Sequence, residues 1–141
     1  MQNNIYHHKV QYYECDRMGI THHSNYVRFM EEARIAMLER LGQGFDSMEQ
    51  DGIVSPVVDI TLKYRKPTTF PDIIDIEVSI TRLSAYKLKL GYTMKVRGEV
   101  VCVAESSHCF FDGSTPVALG ERYPALYSQL KEAIEAGKQS L

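Results

Sequence analysis

The chain has no tryptophan, only three cysteines, and no apolar run approaching membrane-spanning length. A bilayer-crossing helix needs about 20 consecutive apolar residues, so no membrane insertion is expected. Cys15, Cys102 and Cys109 show no metal-ligand spacing and cannot all pair. Free thiols and a cytoplasmic location follow as expectations. Charge of one sign is also lacking, with 16 Lys and Arg against 18 Asp and Glu. That balance removes any global attraction to nucleic acid or anionic lipid, so neither is expected as a partner. The N-terminal stretch Met1 to Lys9 contains no apolar signal-peptide core. No Gly-rich phosphate loop, repeat, low-complexity tract or linker is found. A single domain over residues 1–141 is therefore expected, long enough to bury a core.

What is present begins with periodicity. Residues 5–13 read as a first strand, with Tyr6, His8, Val10 and Tyr12 on one face. Residues 25–41 carry a helical stripe of Tyr26, Phe29, Met30, Ala33, Met37 and Leu41, widened by Ala36 and Leu38. Ser24 suits the N-cap and Gly42 the C-terminal stop. The polar side, Arg28, Glu31, Glu32, Glu39 and Arg40, is narrow, which predicts a largely enclosed helix. From residue 57 the period becomes two. Val58, Ile60, Leu62 and Tyr64 alternate with polar residues until Pro67. Ile74, Ile76, Val78 and Ile80 form a second run, and Leu88, Leu90, Tyr92, Met94 and Val96 a third. Gly98 makes the next tight turn, residues 100–111 are apolar on both faces like a central strand, and a short helix covers 124–136. The pattern predicts an α+β fold in which one antiparallel sheet of about five strands covers one long helix.

The chemistry concentrates just before that helix, in Tyr13-Glu14-Cys15-Asp16-Arg17-Met18-Gly19-Ile20-Thr21-His22-His23-Ser24-Asn25-Tyr26. Asp16 supplies a carboxylate able to act as general base or nucleophile. The helix start supplies unpaired N–H groups of the kind that stabilise an oxyanion in acyl transfer. The alternative for Asp16 is a side chain that only caps the turn.

Order and motif together resemble the hotdog-fold acyl-CoA thioesterases of the 4-hydroxybenzoyl-CoA thioesterase type, nearest to the small bacterial branch encoded beside the Tol–Pal genes. Tyr12 or Tyr13, Glu14, Asp16, Gly19, Ile20, Asn25, Tyr26, Phe29, Glu31, Ala33 and Arg34 match the family's ordered signature. Tyr64-Arg65-Lys66-Pro67 and Phe110-Phe111-Asp112 fit its second and fifth strands, so the resemblance spans residues 5–115. It implies a hotdog fold and hydrolysis of an acyl-CoA thioester to free acid and coenzyme A, without a cofactor. The family's catalytic aspartate falls on Asp16. Both its carbonyl-polarising backbone N–H and the branch's catalytic histidine fall on His23. Gly19, Ile20, His22, Asn25 and Tyr26 are the implied substrate contacts. Thr21 and His22 stand where Val and an aromatic residue are common, which implies a more polar pocket wall.

Several rival assignments accompany this reading. A metal on His22, His23, Asp16 and His108 lacks ligand spacing, so none is expected. A second hotdog lineage carries its carboxylate on the long helix, which makes Glu31 the rival base. An ion-pair network with Arg28 and Arg34 explains Glu31 equally well. Coenzyme A phosphates require cations; the candidates are Lys63, Arg65, Lys66, Arg82, Lys87 and Lys89, with Arg82, Lys87 and Lys89 preferred because they flank one turn. An acyl-carrier-protein thioesterase and a non-catalytic acyl-ligand or interaction module are the alternative functions. Unpaired sheet edges predict a homodimer, or a dimer of dimers, with Asp16 near the interface.

Overall fold

A computed structural model describes residues 5–140. Residues 1–4, part of the N-terminal stretch read above, and residue 141 lie outside the described residues. The elements run β1 (Ile5–Lys9), α1 (Asn25–Arg40), α2 (Phe45–Gln50), β2 (Ile53–Val54), β3 (Val57–Tyr64), β4 (Ile73–Leu83), β5 (Leu88–Val96) and β6 (Glu99–His108). β7 (Phe111–Asp112), β8 (Thr115–Pro116), α3 (Leu119–Arg122) and α4 (Pro124–Ser140) follow. The main sheet is antiparallel, in the order β1-β4-β5-β6-β3. It covers α1, the hotdog arrangement implied by the resemblance.

One face of the sheet holds the core. Ile74, Ile76 and Val78 of β4, Leu90, Tyr92 and Met94 of β5, and Cys102 and Ala104 of β6 are buried together with Phe29, Met30, Ala33 and Met37 of α1. α4 packs against β4 through its buried Leu126 and Leu130. The opposite parity is polar on β3, β4 and β5 but includes Val101 and Val103 on β6, and ion pairs Lys95–Glu77 (2.8 Å) and Lys89–Glu105 (3.6 Å) lace it across neighbouring strands. Alternation on β3, β4 and β5 carried the strand periodicity in the sequence.

α1 ends as its sequence predicts. Gly42 has φ +84°, its N–H donates to the Glu39 carbonyl, and the Gln43 N–H donates to the Leu38 carbonyl. That pair of bonds is a Schellman motif, which needs a left-handed residue at the Gly42 position. Ser24 departs from expectation. It precedes α1, but its side chain caps nothing; its hydroxyl instead pairs with His22 Nδ1 at 2.8 Å.

The first strand also departs, stopping at Lys9. The Gln11 N–H donates to the Glu14 carboxylate at 2.8 Å, winding Tyr12–Glu14 into a 3-10 turn that leaves Tyr12 79% exposed. α2, α3 and the small sheet β2-β7-β8 were not foreseen, because elements of two to six residues carry too little periodicity to detect.

Candidate active site

Asp16 opens a tight hairpin turn. The Gly19 N–H donates to the Asp16 carbonyl at 2.9 Å, and the Asp16 N–H donates to the Ile20 carbonyl at 2.9 Å. Gly19 makes this possible with φ +79°, a conformation that strains any residue bearing a Cβ. Asp16 Oδ1 accepts the Met18 N–H at 2.8 Å, so the carboxylate does cap its turn. Oδ2 has no partner among the described residues. Capping and chemistry can thus be divided between the two oxygens of one half-buried carboxylate.

The approach to α1 shows which N–H groups remain open. The His22 N–H donates to the Glu14 carbonyl at 2.8 Å. The Ser24 N–H reaches His22 Nδ1 at 3.2 Å. Those of Asn25 and Tyr26 donate to the carbonyls of His22 and His23 at 3.0 and 3.3 Å. Across residues 22–26, the His23 N–H alone has no acceptor among the described residues.

Asp16, Ile20, Thr21 and His23 line one side of a cleft of about 340 Å³, and Tyr26 of α1 lines it too. The opposite side is the end of β3, Tyr64 through Pro67. Tyr26 is almost fully buried, and its hydroxyl meets Thr68 Oγ1 at 2.8 Å. Thr21 Oγ1 meets the same Thr68 oxygen at 2.7 Å. The polarity expected from Thr21 is therefore largely absorbed within the protein. Burial raises the Tyr26 phenol above its ordinary range, so it stays protonated. Tyr64 stands edge-on to Tyr26 at 5.1 Å and to His23 at 6.4 Å.

Behind the cleft, His8 Nε2 lies 2.9 Å from the Glu14 carboxylate and His8 Nδ1 3.1 Å from Glu32, which also accepts the Tyr6 hydroxyl at 2.7 Å. The Glu14 carbonyl in turn receives both the His22 N–H and the Asn25 side-chain amide, the latter at 2.9 Å. This network ties β1 to the start of α1 and holds the His23 turn in place.

The predicted site residues separate into three groups. Asp16, Ile20, His23 and Tyr26 meet at the cleft. Gly19 and Asn25 instead shape the backbone around it, and exposed His22 stacks on His23 with ring centroids 4.2 Å apart. Arg82, Lys87 and Lys89 are not part of the cleft. Lys89 pairs with Ser107 whereas Tyr64 pairs with Cys102, a difference of five residues along β6, about 17 Å. The cleft cations are Arg65 and Lys66, and Lys66 forms an ion pair with Glu99. The two basic stretches look alike in sequence, and only the sheet order puts one of them beside the cleft. The ion-pair network expected around Glu31 is also absent among the described residues. Arg34 is 5% exposed and contacts His108 instead. His108, once grouped with His22 and His23 as a metal set, is therefore committed elsewhere.

The thioesterase-like superfamily profile matches residues 10–133. YneP of Bacillus subtilis, whose acyl-CoA thioesterase name is provisional, is 33% identical over 128 residues, covering 89% of this chain and 93% of YneP. The long-chain acyl-CoA thioesterase FadM of Escherichia coli is 31% identical over 137 residues, covering 96% and 97%. Among solved structures, the DHNA-CoA thioesterase of Staphylococcus aureus superposes with a TM-score of 0.89 at 25% identity, covering 97% of this chain and 96% of that one. The order of elements, the hairpin that carries Asp16 and these matches converge on one assignment: the chain belongs to the thioesterase-like superfamily.

Proposed function

We propose that this protein hydrolyses an acyl-CoA thioester to a free acid and coenzyme A, and that the Asp16 cleft is where it does so. The observation that carries this reading is that Asp16 and His23 line one cleft while the His23 N–H has no acceptor among the described residues. Asp16 Oδ2 takes a proton from water as the water oxygen attacks the thioester carbonyl. The negative charge that develops on the carbonyl oxygen is met by the His23 N–H. Collapse breaks the carbon–sulfur bond and releases the coenzyme A thiolate, which takes up a proton. The alternative is nucleophilic: Asp16 attacks the carbonyl carbon, the carbon–sulfur bond breaks and the coenzyme A thiolate leaves, and water then hydrolyses the mixed anhydride to free acid and Asp16. The His23 ring orients the carboxylate and substrate, Ile20 and Tyr26 form the acyl wall, and Gly19, His22 and Asn25 hold the turn beside it. Arg65, which has no ion pair among the described residues, is the better phosphate contact; Lys66 is its neighbour.

The branch reading, 4-hydroxybenzoyl-CoA type near the Tol–Pal-associated enzymes, rests on the ordered motif around Asp16. The chain would act as one domain and as a homodimer or dimer of dimers. Strands β1 and β3 leave the sheet with two unpaired edges, and β3 exposes Val57, Val58 and Tyr64 to solvent. Among the described residues, no helix is long and apolar enough to cross a membrane.

Thiol release from a panel of aromatic, short and long acyl-CoAs, run beside the same chains on an acyl-carrier protein, tests the activity. Release from coenzyme A esters is expected. Release only from carrier-bound chains would favour the carrier-protein alternative, and none from either would leave a non-catalytic module.

A further inference from the structure

Away from the Asp16 cleft, α1 buries a cation that has no ion-paired acid among the described residues, Glu31 acting on it only through space. Arg34 is 5% exposed, and its Nε–H has no partner among the described residues. Its Nη1 donates to His108 Nδ1 at 2.5 Å. A guanidinium cannot accept, so His108 must carry its proton on Nε2 and donate it to Ser106 Oγ, 2.7 Å away. Ser106 also meets the Tyr92 hydroxyl at 2.7 Å. The whole cluster is neutral except for Arg34. Burial, and then the Arg34 charge, push the His108 pKa down to about 3, so His108 does not add a second charge. An enclosed guanidinium without a directly paired counter-ion is unfavourable.

Arg34 walls two cavities. One, of about 40 Å³, lies against Met30, Ile60 and Tyr92. The other, of about 330 Å³, runs beneath α2 between Phe45, Met48, Ile53 and Val54. Neither shares a lining residue with the Asp16 cleft. Arg34 also lies eight residues beyond Tyr26 on α1, about 12 Å along its axis. Glu31, Glu49 and Glu31's helix neighbours do not ion-pair with Arg34 among the described residues. Glu31 and Glu49 line the larger cavity but are exposed to solvent, which screens them far more than it screens Arg34.

We infer that Arg34 forms a second site, which binds the carboxylate of a free organic acid while the apolar cavity beneath α2 takes the acid's stem. The guanidinium fork fits a carboxylate bidentately, and the apolar wall selects a hydrocarbon body over a small inorganic anion. Glu31, three residues earlier on α1, makes no ion pair with Arg34 among the described residues, but its charge acts on Arg34 through space and opposes an entering acid.

Calorimetry with octanoate and with octanamide as its neutral counterpart tests this without relying on turnover. Octanoate is expected to bind at least tenfold more tightly. Arg34→Gln should abolish that difference, and Arg34→Lys should retain part of it if the glutamine variant folds poorly. Glu31→Gln should strengthen octanoate binding, while Asp16→Asn leaves it unchanged. In the NMR spectrum the Arg34 Nε–H should shift on addition of octanoate. Equal binding of acid and amide, or a preference that survives Arg34→Gln, would overturn the inference. So would loss of octanoate binding in Asp16→Asn, which would put the acid in the other cleft.

Discussion

The Tyr64 hydroxyl donates a 3.0 Å hydrogen bond to the carbonyl of His23, joining the last residue of an edge strand to the turn that starts α1. The same carbonyl receives the Tyr26 N–H, so β3 and α1 meet on one peptide group beside the open His23 N–H. Tyr64→Phe removes one neutral hydrogen bond, worth about 0.5–1.5 kcal/mol. Turnover should fall about 2- to 10-fold through kcat with KM little changed. An effect confined to KM would mean that Tyr64 touches substrate without orienting the turn.

Asp16→Asn tests the proposed chemistry directly. Asparagine keeps an oxygen for the Met18 N–H, so the turn and the melting temperature should persist. Loss of the charge should lower turnover by about 10²–10⁴, the range for a positioned base, with acyl-CoA binding largely intact. Glu31→Gln is the control for a carboxylate on the helix. Full activity in Asp16→Asn together with a dead Glu31→Gln would move the site to α1.

Met37 is 1% exposed within the apolar face of α1. Met37→Ala should destabilise the fold by about 2–5 kcal/mol through lost burial and a residual cavity. Denaturant unfolding measures this, and a change below about 0.5 kcal/mol would be that of a surface site.

Acid stability should report on His108. Its folded pKa is about 3 against 6.5 for an ordinary histidine, so between those values the unfolded chain binds the proton and the folded chain does not. Stability contributed by neutral His108 is complete above pH 6.5 and is lost as pH falls toward 3. By pH 5 the loss should be about 1–2 kcal/mol, measured by denaturant unfolding at each pH. His108→Gln should flatten that slope even though the variant starts less stable.

Sedimentation at micromolar concentration should give a dimer or tetramer, as expected of a sheet with two bare edges. A stable monomer would remove the assembly proposal and leave the Asp16 chemistry to be completed within one chain.

Local periodicity was enough to determine the long helix, the four consecutive strands β3–β6, the glycine stop at Gly42 and the turn around Asp16. In each case the relevant signal lies within one helical stripe, one alternating strand or one tight turn, where neighbours in sequence are neighbours in space. The motif around Asp16 carried the family assignment for the same reason. Tertiary structure alone decided the rest. It brought the end of β3 across from Asp16, put Arg65 and Lys66 rather than the Arg82–Lys89 hairpin at the cleft, and left the His23 N–H open while its neighbours were bonded. It also buried Arg34, which the sequence reading had put in an ion-pair network with Glu31. Each of these depends on the strand order β1-β4-β5-β6-β3. That order brings together residues tens of positions apart, whose contacts leave no period in the chain.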